Sequence, residues 1–415
     1  MRVGSDIKKT LRQTEINKAI KSNIFGAGFE NANRTNIGCS ANGRVWAMRS
    51  NNIPTWMKWC KLVAAKITDE SIDPSMVLKG TLIPTERETL PESTPFSIEW
   101  PDYIYRELIG VADIVFSNNE QYGLWQCDLA LVSKSLNEIK FNIETPGGDI
   151  LIKLILFKKD DHMDYRFECD KSIKIEGADI SSLIEFLYKH PPLIYFTDGS
   201  FLEGNLYTEI NNINPVFSSS QVIGLAWTGI NIRKESQTYL KDSTTIQYFI
   251  LEKEQTYDVL MDDDDKGEVA DIVGFRVDNL SKTLNVDLYH CKFANEGTVG
   301  LRIDNFYAVC SQAQKSIKWM ENTDMLFKQL LKRSEKRGRL KSVDRFEHGN
   351  EELLDILRRR AKKDLKIHMN VFIVQPGLSV QKYSESGDIS SLLAAVENYL
   401  KETWNASLKV YGNSL

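Results

Sequence analysis

Between Thr256 and Ala294 the chain runs through three apolar stretches that read as strands, "TYDVLM", "EVADIVGFRV" and "LNVDLYHCKFA", broken only by an acidic stretch and by "DNLSK". Side chains that alternate between two faces mark strands, and connections this short pair neighbouring strands through their turns. The first break is the unusual one. Four aspartates stand in a row and give way at once to apolar sequence, with Glu268 and Asp271 close behind. A charge run is usually a solvated turn or linker. This one sits between two strands and ahead of a second acidic pair, which puts concentrated negative charge at the mouth of a sheet.

The rest of the chain bounds what that sheet can belong to. A length of 415 residues suggests two or three domains, each large enough to bury a core. The formal net charge is −5, so any nucleic-acid site has to be a local patch rather than a polycationic surface. Six cysteines are spread without a CxxC pair, which argues against a zinc site and for reduced thiols. No apolar run approaches the ~20 residues of a membrane span, and the first residues are polar. A cytoplasmic protein with no membrane partner is expected.

Two domains are expected. In residues 1–216, a polar helix over 6–24 precedes a short strand around Trp46. A helix with Trp56, Trp59, Cys60 and Val63 on one core-facing stripe follows, then an irregular Pro-rich stretch from Ile83 to Pro101. The runs "EIKFNIET", "DILIKLILF", "YRFEC" and "SIKIEG", joined by turns such as "PGGD", then read as antiparallel strands. This is an α+β domain for handling partners or substrate. Residues 217–415 read as α/β: a hairpin in "SSQVIGLAWTGINI", a helix in "STTIQYFILEKE", the three strands above, and a long helix from about Asp304. The strand "IHMNVFIVQPG", the helix "SSLLAAVENYLKETW" and the strand "ASLKVYG" close it with a parallel crossover. A charged helical insertion occupies about 321–366.

Side-chain direction collects the chemistry. Leu284, Val286, Leu288, His290 and Lys292 share one strand face, and Val269, Asp271 and Val273 share a face of the preceding strand. Pairing through "DNLSK" sets Asp271 beside His290 and Lys292. A carboxylate that holds a divalent cation, with a lysine that positions water and offsets developing charge, suits phosphodiester hydrolysis. Asp263, Asp264, Asp265 and Glu268 would ring the same edge and favour a hard cation, Mg²⁺ or Mn²⁺. The expected metal ligands are Asp271, Glu268, Asp265 and His290.

"GEVADIV" followed by "LYHCKF" resembles the PD-(D/E)XK nuclease core, most closely the Mrr-type restriction endonuclease domain. In that family a glycine-led strand carrying an aspartate precedes a strand ending in Glu-x-Lys or Gln-x-Lys; Gly267, Asp271 and Lys292 fall on the matching positions. His290 stands where the family has Glu or Gln, and imidazole is a poorer magnesium ligand than a carboxylate. The resemblance implies a restriction-endonuclease-like mixed sheet flanked by helices, with Gln312 and Lys315 contributing from the helix after the motif. A wider likeness covers "GCSANGRVWAM", "WMKWC", "IEWPDYIY" and "VFIVQPGLS". It is to the region following the motor in large bacterial DEAD/DEAH-type helicases of restriction and phage defence. No GxxxxGK[ST] loop occurs, so a helicase or ATPase partner encoded nearby is implied, and a homo-oligomer is left open.

Basic residues cluster in the insertion. Lys332, Arg333, Lys336 and Arg337 in one run, and Arg358, Arg359 and Arg360 in another, are expected to grip phosphates. Aromatics are scarce there, which favours contact with duplex backbone over stacking on single strands. The function expected is a metal-dependent DNA nuclease of a restriction or anti-phage system. The rival is a catalytically degenerate nuclease fold that binds DNA or docks a helicase.

Overall fold

A computed structural model describes residues 23–30, 33–40, 45–46, 52–69, 71 and 84–415, apart from 102–103, 105–111, 160–161, 178–181, 210–215, 266, 321 and 342–343. The chain divides into two compact units, Met1–Pro84 and Thr85–Leu415.

In the first unit, strands Asn23–Glu30 and Asn33–Ser40 pair antiparallel, and Val45–Trp46 adds a third. The polar helix expected over 6–24 lies outside the described residues except for Asn23 and Ile24, which open the first strand. Helix Ile53–Ile67 starts at Asn52, whose side chain accepts a bond from the Thr55 N–H at 2.9 Å. Its aromatic stripe is not the buried core expected. Trp56 and Met57 are exposed, and Trp59, Cys60 and Val63 are half-buried. Helical spacing shows which residues share a face; it does not show that anything packs on that face.

The second unit begins with antiparallel sheets. Asp128–Lys134, Glu138–Thr145, Gly148–Lys159 and His162–Cys169 form a four-stranded meander. A five-stranded sheet includes Pro95–Glu99, paired with Leu193–Phe196. The Pro-rich stretch is therefore not wholly irregular. Pro95 opens a strand, a position where its missing N–H costs no ladder bond.

From Val222 the chain builds a seven-stranded mixed sheet. Its strands are β1 (Val222–Leu225), β2 (Val259–Asp262), β3 (Ile272–Asp278), β4 (Thr283–Cys291), β5 (Phe346–His348), β6 (Lys366–Ser379) and β7 (Ser407–Asn413). The spatial order is β1-β7-β6-β4-β3-β2-β5. β2, β3 and β4 are the antiparallel meander expected, with Ile272 opposite Tyr289 and Val277 opposite Leu284. β6 runs parallel to β4 and β7 parallel to β6, the crossover read from the end of the chain. The hairpin expected after residue 217 is a single short strand instead, β1, lying parallel to β7.

The helices are α1 (Ile246–Lys253), α2 (Asp304–Lys315), α3 (Thr323–Lys341), α4 (Glu351–Lys363) and α5 (Asp388–Trp404). Strand alternation sorts them onto two faces. Val273, Phe275, Val286 and Leu288 pack with Phe306, Leu326, Leu354 and Val396 of α2 to α5. Ile272, Tyr289 and Cys291 face the other way, onto Ile246 and Ile250 of α1. The boundary expected near residue 216 falls inside the second compact unit. One core there draws only on residues from Leu90 to Tyr207. Phe96 and Tyr195 nonetheless join the core of the large sheet, and buried Glu99 accepts bonds from Gln314 on α2 and Tyr399 on α5 at 2.8 and 3.1 Å. Among the described residues, no helix is long and apolar enough to cross a membrane.

Candidate metal centre

The turn from β2 to β3 carries the acidic run, and the aspartates of this turn do not share one direction. Asp262 and Asp263 are buried and face cations. Asp263 Oδ1 accepts from Arg333 Nε at 2.7 Å and from an Arg345 N–H at 3.2 Å, while its Oδ2 accepts the Val269 N–H. Asp262 Oδ2 lies 3.3 Å from Arg337 and accepts from Gln237 at 2.9 Å. Asp265 is exposed and lies 3.8 Å from Arg345. Gly267 then takes φ = 79°, a left-handed conformation that suits glycine, and the chain turns back into β3.

What remains faces inward. Oxygens of Asp264, Glu268 and Asp271 lie within 4.8 Å of one another. Asp271 is anchored from two sides, accepting from Gln247 Nε2 of α1 at 2.8 Å and from the Cys291 N–H of β4 at 2.9 Å. Burial, and then the charges of Asp271, Asp264 and Asp263, push the Glu268 carboxyl up to about 9. Burial and the nearby Glu235 also push Asp271 well above the usual carboxylate range. A desolvated cluster of like charges is relieved by a proton or by a cation.

The residues expected from the sequence divide around this cluster. Lys292 follows β4, and its ammonium pairs with Glu235 at 3.2 Å; Glu235 also accepts the Phe293 N–H at 3.1 Å. Glu235 thus links Lys292 to the surroundings of Asp271. His290 is 2% exposed with neither ring nitrogen hydrogen-bonded. Burial pushes its pKa down to about 3, so the imidazole is neutral and available as a donor atom. It lines a cavity of about 330 Å³ with Asp264, Glu268 and Gln312. Gln312 approaches Glu268 with its amide nitrogen at 3.5 Å. Lys315 lines the same cavity but donates to the Leu129 carbonyl, away from the carboxylates. Of the expected ligands, Asp271 and Glu268 converge, whereas Asp265 and His290 fall outside the tight group and Asp264 enters it.

No family model matches the chain, and no curated protein or solved structure matches it either. The chemistry of the site therefore stands on its own geometry. The basic clusters have roles that their sequence did not announce. Arg333 and Arg337, expected on phosphate, have side chains only 11% and 6% exposed and brace the acidic turn. Arg358 and Arg359 pair with Asp355, Arg358 also with Asp324, and Arg360 with Asp364. Lys332 and Lys336 are the members of the first run that stay exposed. Sequence reasoning missed Glu235 and Gln247. Glu235 precedes α1 in polar, aperiodic sequence, where nothing marks one carboxylate above another.

Proposed function

We propose that residues 217–415 are a restriction-endonuclease-like, metal-dependent nuclease that hydrolyses phosphodiester bonds in DNA. The observation that carries this reading is the convergence of Asp264, Glu268 and Asp271 within 4.8 Å at the end of β3. Lys292 closes the neighbouring strand, held by Glu235. The buried, unpartnered His290 lines the same cavity, and an imidazole ligand there would favour the softer Mn²⁺ over Mg²⁺. A bound divalent cation would neutralise the carboxylates, polarise a phosphate and lower the pKa of a coordinated water. Asp271, fixed by Gln247 and Cys291, sets the position of such a centre. Lys292 supplies positive charge for the developing phosphorane, and Glu235 orients its ammonium. Action beside a helicase in restriction or phage defence rests on the sequence resemblance alone.

One observation favours the degenerate alternative: the Lys292 ammonium already has a carboxylate partner in Glu235. The two readings separate in one assay. Labelled DNA incubated with Mn²⁺ or Mg²⁺ is expected to be cleaved, with a loss of about 10²-fold or more in Asp271→Asn and in Lys292→Ala. Wild-type protein that binds DNA and never cleaves it supports the degenerate module.

A further inference from the structure

Beside the carboxylates lies a second cavity, of about 280 Å³, walled on one side by the 85–216 part and on the other by α3. The two cavities adjoin across seven shared lining residues, among them Asp128, Glu144, Asp265, Glu268 and Lys318. Trp125 stands in its wall, fixed on a one-turn helix (Leu124–Gln126) and packed over Gly123, where a Cβ would come within 2.6 Å of the indole. Lys332 crosses from α3 to place its ammonium over the Trp125 ring, 5.0 Å from its centre, a position that a stacked base would take as the long side chain swings to its phosphate, and Lys336 follows one turn later. Three buried donors of the wall have no partner: Trp319 Nε1, Arg337 Nε and Arg345 Nε.

We infer that this cleft takes an unpaired nucleotide of a single nucleic-acid strand, its base stacked on Trp125 and its phosphates held by Lys332 and Lys336. The inference rests on the nuclease reading for its direction, since the strand runs on from the cleft to Asp264, Glu268 and Asp271. A cavity of this size holds one small planar ligand. A stacked duplex keeps its base faces covered, so an aromatic wall recognises a strand that is unpaired. This reverses the preference for duplex backbone expected from the insertion. The aromatic partner of the basic helix comes from a segment about two hundred residues earlier in the chain.

The test is fluorescence anisotropy in EDTA with the full chain, using a labelled oligo-dT, the matching oligoribothymidine and a blunt hairpin duplex closed by a non-nucleotide linker. The single strand should bind more tightly than the hairpin. Trp125→Ala should weaken it by about 5- to 150-fold, the range for loss of one base–aromatic stack. Trp125→Phe should restore most of the affinity, and Lys332→Ala with Lys336→Ala should reduce the salt dependence. Equal affinity for the two oligonucleotides means the base and phosphate are read; a preference for one names the sugar. Binding of the hairpin as tightly as the single strand, or a Trp125→Ala protein that melts normally and binds oligo-dT like wild type, overturns the inference. Because the measurement excludes metal, absence of cleavage under Mn²⁺ would remove the nuclease reading and leave this result standing.

Discussion

Adjacent aspartates in one turn do opposite things, and the difference is decided by what each carboxylate meets. Asp263 is fully buried between Arg333 and Arg345 and also closes the turn through the Val269 N–H. Removing one partner of a buried ion pair leaves the other charge uncompensated, at a cost of about 3–5 kcal/mol. Asp263→Ala is therefore expected to lower unfolding free energy by about that amount in urea titrations. Asp264→Ala should leave the metal-free protein no less stable, because it deletes a like charge beside Glu268 and Asp271. Comparable losses in both would mean that the turn is not divided this way. The sequence showed that the acids belonged at a sheet edge. It did not show which would face cations and which would face one another. That depends on Gly267 and on three arginines from residues 333–345, a long-range effect that alternation does not encode.

At the scale of elements, α3 and α4 are tied by one carboxylate. Asp324 lies 2.9 Å from Lys328, 3.0 Å from Arg358 and 2.7 Å from Lys362. Burial raises its carboxyl, but hydrogen bonds from Lys362, Lys328 and Arg358 together outweigh that and hold it well below the usual carboxylate range. A depressed folded pKa gives stability that is present above the unfolded value near 3.9 and lost as pH falls through the folded one. Partly exposed pairs are screened, so Asp324→Asn should cost only about 1 kcal/mol at pH 7. The gap to wild type should close in acid-unfolding curves as pH drops below about 3. A gap that persists would place the effect in packing rather than charge. The closing strand–helix–strand was legible because its strands are almost wholly apolar and its helix is amphipathic. The strand Pro95–Glu99 and the lone β1 were not, because each is defined by a partner far along the chain, Leu193–Phe196 and β7.

In the second unit as a whole, the candidate site is a product of two regions that the sequence presented as separate domains. Glu99, reaching Gln314 and Tyr399, locks the antiparallel part onto α2 and α5, and Lys318 reaches Asp128 at 2.9 Å. The carboxylates come from one region and Trp125 from the other, so the cleft has no counterpart in either read alone. The metal centre is tested most directly by diffraction at the manganese edge from crystals grown with Mn²⁺. An anomalous peak bonded to oxygens of Asp264, Glu268 and Asp271, and absent from Glu268→Gln crystals, is the result predicted. Crystals of the folded protein with no peak at these carboxylates, or with the ion held elsewhere, would contradict it.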